Sequence, residues 1–212
     1  GGGNDNLDGG DGNDTLYATV GSGANVFMTG DAGADVLTAT GSGSVNLSGG
    51  DGNDTIQGAD GSLTTFGFLG GGNGDDSILG GANGDNLDGG AGNDILDGGA
   101  GFNSASYGDA SSPVTVSLAI AGPQATGGAG TDTLIRIQGL NGSNFGDTLA
   151  AGSAGNNLSG SGGDDSLLGG AGADFLDGGA GADILRGGLL NDVYIVDNAS
   201  DQTIELADEG YD

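Results

Sequence analysis

Large apolar residues recur along much of this chain at intervals of nine, each between polar or small neighbours. Ile78, Leu87 and Leu96 form one such series; Leu149, Leu158, Leu167, Leu176 and Leu185 form another. Strand side chains alternate between faces, so the middle residue of a short strand points inward and its two neighbours point outward. The spacing therefore predicts many very short strands, each giving one side chain to a core. No stretch approaches the roughly 20 apolar residues needed to span a membrane as a helix.

What separates the strands is as regular as the strands. Gly9-Gly10-Asp11-Gly12-Asn13-Asp14-Thr15-Leu16-Tyr17 reads G-G-x-G-x-D-x-U-x, where U is large and apolar. The full pattern also starts at Gly49, Gly71, Gly89, Gly127, Gly169 and Gly178, and near matches start at Gly30, Gly80, Gly98, Gly142, Gly160 and Gly187. The glycines let the backbone turn and bring its carbonyls close together. The aspartate at the sixth position directs a carboxylate into the turn. Two nonamers make one coil of turn, strand, turn, strand. The predicted fold class is all-β: a parallel β-roll, a right-handed β-helix whose two short parallel sheets are joined by ion-binding turns.

In such a stack each turn lies beside the turn two nonamers away. Where nonamers run unbroken, this pairs Asp76 with Asp94 and Asp85 with Asn103. Further along it pairs Asp147 with Asp165, Asn156 with Asp174, Asp165 with Asp183, and Asp174 with Asp192. Asparagine removes one ligand charge, so its turns are the weaker sites.

Breaks in the repeat suggest the organisation. Residues 1–106 form a first block, with degenerate coils at 18–48 where most turns lack aspartate. The register also breaks around Ser62–Phe68. Residues 107–141 are expected as non-repeat spacer strands. There Val114–Ile120 alternates apolar and polar between Pro113 and Gly122-Pro123. Residues 142–195 form a second block. Residues 196–212 are expected as a capping hairpin, cut short, because a stack needs an end that covers its last coil. The chain starts inside a repeat and stops at Gly210-Tyr211-Asp212, as part of a longer protein would.

Composition narrows the chemistry. Glycine supplies 53 of 212 residues, against a usual share of roughly 7%. Collagen needs glycine at every third position, and the period here is nine. Thirty acidic residues face two basic ones, Arg136 and Arg186, giving a net charge of −28. Phosphate binding needs clustered Lys and Arg, so nucleic acid is not an expected partner. An anionic membrane surface would repel the chain. Histidine, cysteine and lysine are absent. That removes the usual zinc and copper ligands, disulfides, Schiff-base chemistry and the Ser-His-Asp and Cys-His catalytic groups. The chain is not expected to be an enzyme.

Oxygen ligands remain, from carboxylates and backbone carbonyls, and these suit a hard cation, above all Ca²⁺. The candidate ligands are Asp5, Asp14, Asp35, Asp54, Asp76, Asp85, Asp94, Asn103, Asp132, Asp147, Asn156, Asp165, Asp174, Asp183 and Asp192, with several ions per chain. One apolar side chain per nine residues is a thin core for so much glycine. Ion binding is therefore expected to supply a decisive part of the folding energy.

The repeated G-G-x-G-x-D-x-U-x resembles the RTX (repeats-in-toxin) family over nearly the whole chain. That resemblance implies calcium binding at the aspartates named above and secretion from Gram-negative bacteria, commonly by a type I system. It implies a folding module, disordered at cytosolic calcium and folded outside the cell or on its surface. It carries no catalytic activity, which in such proteins lies in other domains. Two alternatives stay open. One is an accessory module of a secreted enzyme (protease, lipase or alginate epimerase type) that contacts polysaccharide. The other is a surface-layer or adhesin segment that associates laterally with itself.

Overall fold

The computed structural model describes residues 3–59, 67–205 and 210. Among these, every regular element is a β-strand. In chain order the strands begin with β1 (Asp5–Asp8), β2 (Thr15–Val20), β3 (Asn25–Ala32), β4 (Val36–Gly41), β5 (Ser44–Asp51), β6 (Thr55–Gln57) and β7 (Gly67–Asn73). Next come β8 (Ser77–Leu79), β9 (Asp85–Ala91), β10 (Ile95–Asp97), β11 (Ser104–Ser106), β12 (Thr115–Ser117), β13 (Gln124–Gly127), β14 (Gly130–Ile135) and β15 (Gly139–Asn141). The last are β16 (Thr148–Ala150), β17 (Asn157–Ser159), β18 (Ser166–Gly170), β19 (Phe175–Asp177), β20 (Ile184–Gly188), β21 (Val193–Ile195) and β22 (Gln202–Thr203).

The chain forms two compact units. The first holds residues up to Ala105 together with Gly130–Ile137; the second holds Ser106–Ala129 and the chain from Gln138 on. In the first unit, one sheet runs β1, β3, β5, β7, β9 and then β11, and the other runs β2, β4, β6, β8, β10, β14. In the second, one sheet runs β15, β17, β19, β21 and the other β12, β16, β18, β20, β22. The recorded pairings between these strands are parallel, as strands one full coil apart must be. This is the parallel β-roll that the nonamer predicts.

Register stacks the inward residues in columns. Leu16, Leu37, Ile56, Ile78, Leu96 and Leu134 follow one another across one sheet of the first unit. Leu140, Leu158, Leu176 and then Tyr194 do so in the second. The central leucines are fully buried while their strand neighbours stay partly exposed. Leu87, stacked on Leu69, has no exposed surface. Leu87→Ala is expected to cost about 2–5 kcal/mol, as a truncation in a core that cannot collapse. Ile95→Ala, on the solvent face at 47% exposure, is expected to stay within about 0.5 kcal/mol. Denaturant melts of both variants in saturating calcium would check this, and equal losses would refute the inward and outward assignment.

The degenerate stretch at 18–48 continues the same two sheets through β2, β3, β4 and β5. Its strands are longer, and they bury Ala18, Val20, Val26, Met28, Ala39 and Val45 in addition to the repeat columns. Extra apolar packing thus accompanies the turns that lack aspartate there, while Asp35 keeps its place in a turn. The register break expected at Ser62–Phe68 lies largely outside the described residues.

The stretch expected as a non-repeat spacer, 107–141, is divided between the units. Its β12 pairs in parallel with β16, and its β14 pairs in parallel with β10. Gly130–Ile135 is therefore a repeat strand of the first unit. At the C-terminal end β21 and β22 do not form a hairpin. They belong to different sheets, in parallel with β19 and β20, so the chain continues as one more coil. The rest of the expected hairpin, from Leu206 to Glu209 and at Tyr211-Asp212, lies outside the described residues.

Candidate metal centre

The sixth-position residues line the turns in rows. In the first unit one row runs Asp14, Asp35, Asp54, Asp76, Asp94, Asp132. Each backbone N–H donates to Oδ1 of the next: Asp14 to Asp35 (2.7 Å), Asp35 to Asp54 (2.8 Å), Asp54 to Asp76 (2.7 Å), Asp76 to Asp94 (2.8 Å) and Asp94 to Asp132 (3.1 Å). In the second unit Asp147, Asp165 and Asp183 repeat the arrangement at 2.7 and 2.8 Å. Asn156, Asp174 and Asp192 do so at 2.7 Å. All six pairs inferred from unbroken repeats are adjacent, including Asp85 with Asn103 at 2.9 Å. Asp5 lies in β1 opposite Val26.

One oxygen of each carboxylate thus holds the next coil. The second oxygen is different. Oδ2 of Asp14, Asp35, Asp54, Asp76, Asp94, Asp165, Asp174 and Asp183 is buried with no hydrogen-bond partner. An unpaired buried carboxylate oxygen is costly, and native proteins keep few of them. Its surroundings are also oxygen. A methyl group at Gly71 would lie 2.6 Å from the carbonyl oxygen of Gly89 and closer still to Asp76 Oδ2. Gly30, Gly49 and Gly160 repeat this, with the carbonyls of Gly49, Gly71 and Gly178 at 2.6 Å. The first glycine of these repeats therefore keeps a cradle open where a carboxylate oxygen and a carbonyl oxygen converge.

No group of three or more acidic side chains converges among the described residues. The donor set per turn is carboxylate plus backbone carbonyl, with no nitrogen or sulfur. That set fits a hard cation of calcium's kind and does not suit zinc or copper.

Other sixth-position residues are satisfied by the protein itself. Asp85 accepts from Gly67 N–H (3.2 Å) on one oxygen and Gly81 N–H (2.8 Å) on the other. Asp147 accepts from Val114 N–H (2.8 Å) on Oδ1 and, on Oδ2, from Ser143 N–H (2.5 Å) and Ser143 Oγ (3.0 Å). Asn103 Nδ2 donates to the carbonyls of Ala100 (3.3 Å) and Arg136 (3.2 Å). Asn156 Nδ2 donates to Gln138 O (3.0 Å). At these two asparagines an amide N–H points at carbonyl oxygens.

Two sets of residues escape the repeat pattern. At the fifth position Asn13, Asn53, Asp75 and Asp164 accept from the backbone N–H of Ala34, Asp75, Asn93 and Ala182, at 2.9–3.0 Å. These bonds run along the stack against the sixth-position bonds, so the turns that carry both are tied in both directions. The frequent Asn or Asp before the sixth-position aspartate was the available signal. Asp201 also takes a sixth-position place, in a turn without glycine. Its Oδ1 accepts from Asp183 N–H (3.1 Å), and its Oδ2 from Asn198 N–H (2.9 Å). These backbone donors hold its carboxyl below the usual range.

Burial also shifts the carboxyls of these rows. It pushes the Asp76 and Asp94 carboxyls up to about 7, and those of Asp165 and Asp174 to about 6, against the pull of their backbone donors. In the unfolded chain these groups titrate near 3.9. The folded form then binds more protons, and its stability falls as pH rises from about 4 through 7. In chelator, more far-UV β signal is expected to survive at pH 5 than at pH 8. Calcium uptake at pH 6–7 is expected to release protons into a weak buffer. A stronger β signal in chelator at pH 8 than at pH 5 would contradict the assignment.

A family model described as RTX calcium-binding nonapeptide repeat matches residues 1–23, 19–41, 29–62, 70–105, 141–176 and 159–194. These segments together cover well over half of the chain. No curated protein matches it.

Proposed function

This chain belongs to the family of RTX calcium-binding nonapeptide repeats, and from that premise we propose that it is a calcium-driven folding module of a secreted bacterial protein. The observation that carries this reading is the rows of buried carboxylate oxygens without partners, those of Asp14, Asp35, Asp54, Asp76, Asp165 and Asp174 beside a backbone carbonyl of the next coil. A divalent cation there satisfies both oxygens and offsets carboxylate repulsion along the row. Asp14, Asp35, Asp54, Asp76 and Asp94 would hold the ions of one row in the first unit. Asp165, Asp174 and Asp183 would hold those of the second unit. The turns at Asp85, Asn103, Asp147 and Asn156 are closed by protein donors and would need no ion. The chain acts by binding and folding, without chemistry of its own.

Calcium at about 10⁻³ M, as outside a cell, suits sites of the extracellular class; cytosolic calcium leaves such sites empty. The proposed sequence is export as an unfolded chain, then folding as calcium fills the rows. Calorimetric titration of the chain with calcium, and separately with magnesium, tests the binding. Several calcium ions per chain are expected, with magnesium much weaker. Asp76→Asn with Asp94→Asn is expected to remove calcium equivalents, because asparagine at the sixth position brings its own N–H. No saturable calcium binding at about 10⁻³ M would overturn the reading.

A further inference from the structure

In two columns of the second unit the last described residues are unlike the rest. Leu140, Leu158 and Leu176 are followed by half-buried Tyr194, and Val116, Leu149, Leu167 and Leu185 are followed by exposed Thr203. At both ends an oxygen-bearing side chain replaces an aliphatic one.

Tyr194 reaches a defined place. In an interior turn such as that of Gly160, the glycine N–H donates to a carbonyl of the next coil, Asp177 O, at 2.8 Å. The open cradle at Gly160 is bounded by Asp165 Oδ2 and by the next coil's Gly178 O. At Gly187 the same two roles fall to one atom. The Gly187 N–H donates to the Tyr194 hydroxyl at 2.7 Å. The cradle at Gly187 is bounded by Asp192 Oδ2 and by that hydroxyl oxygen. The hydroxyl in turn donates to Glu205 Oε1. A phenol has one proton and two lone pairs. The proton goes to Glu205 and one lone pair takes Gly187 N–H, which leaves one lone pair at the cradle.

We infer that at this turn the Tyr194 hydroxyl takes the place that the next coil's carbonyl oxygen holds at Gly160, and completes a cation site with Asp192, the ion being bound by the phenolic oxygen as well as by the carboxylate. Glu205 positions the hydroxyl by accepting its proton. The inference rests on the calcium-binding reading above, and it assigns a ligand outside the sixth-position aspartates.

Terbium substituted for calcium tests it, because Tb³⁺ takes oxygen sites of this kind and emits when a ring close to it is excited. The chain has four tyrosines and no tryptophan, so tyrosine is the sensitiser. Tyr194→Phe keeps the ring and removes the oxygen. The expected result is loss of most of the tyrosine-sensitised emission and of one calcium equivalent, while the remaining sites fill as in the wild type. A second variant, in which Tyr17, Tyr107 and Tyr211 are all changed to Phe, keeps Tyr194 alone and is expected to retain the emission. It also decides the matter where Tyr194→Phe fails to fold. Unchanged emission and stoichiometry in Tyr194→Phe, or lost emission in the triple variant, would overturn the inference. Absence of any calcium binding by the wild-type chain would instead remove the reading on which it rests.

Discussion

In chelator at neutral pH the chain is expected to lose its far-UV β spectrum, and calcium at roughly 10⁻⁴–10⁻³ M to restore it in one cooperative step. Three features combine to make the effect large. The core is narrow: one aliphatic residue per short strand lies between glycine-rich turns. Glycine loses more backbone freedom on folding than any other residue. The net charge of −28 is concentrated in carboxylates stacked along the turns. Without cations, unpaired buried oxygens and like-charge repulsion add to that cost. Binding that exists only in the folded form then becomes folding free energy. Cooperativity follows from geometry, since neighbouring turns share backbone-to-carboxylate bonds and one ordered turn prepares the next.

Magnesium is expected to fail as a substitute. It demands near-octahedral geometry and gives up water reluctantly, whereas calcium accepts irregular sets of carboxylate and carbonyl oxygens. Circular dichroism through a titration from chelator, with magnesium as control, measures this directly. A β spectrum that persists unchanged in chelator at pH 7–8 would mean that packing alone holds the roll. The aspartates would then serve some other end.

Gly71→Ala is the second large effect expected. The added methyl would meet the carbonyl oxygen of Gly89 at 2.6 Å and Asp76 Oδ2 closer still. One neighbour is backbone of the adjacent coil, pinned by the sheet pairing of β7 and β9. The other is a carboxylate whose Oδ1 is already bonded to Asp54 N–H. Neither yields without breaking a bond, and the methyl fills the space where the ion would sit. Overpacking of this kind costs about 1–3 kcal/mol before any ion is lost, so a total of ~3 kcal/mol or more is expected in calcium. Gly10→Ala is the comparison. Nothing lies within 4 Å of a methyl there, but φ is +83°, and left-handed backbone costs an L-residue roughly 1–2 kcal/mol. Melts in saturating calcium should therefore rank Gly71→Ala well below Gly10→Ala. Equal stability, with calcium stoichiometry unchanged in both, would show that the first glycine guards no site.

The pairing of Asp165 with Asp183, or Asp76 with Asp94, was legible in the sequence because an unbroken nine-residue period makes residues 18 apart neighbours by construction. The period also determined the strand length, the inward leucines and the oxygen-only donor set. The row that joins Asp14, Asp35, Asp54, Asp76, Asp94 and Asp132 was not legible. Its steps are 21, 19, 22, 18 and 38 residues. Coils of unequal length absorb insertions in their corners while keeping register in their strands. The last step exists because Ser106–Ala129 belongs to the other unit and β14 resumes the first.

The repeat likewise treats every sixth-position residue alike, and tertiary structure separates them. Asp76 keeps an unpartnered oxygen, while Asp85 and Asp147 have theirs taken by Gly81 and Ser143. Asp201 closes a turn that has no glycine signature, and Tyr194 sits at an ordinary core position yet sends its hydroxyl to Gly187. By itself the sequence determined the repeating unit, since period and residue type act locally and identically in every copy. Only the folded stack decided which copies are left with an oxygen in need of a cation, because that depends on what the adjacent coil brings to each turn.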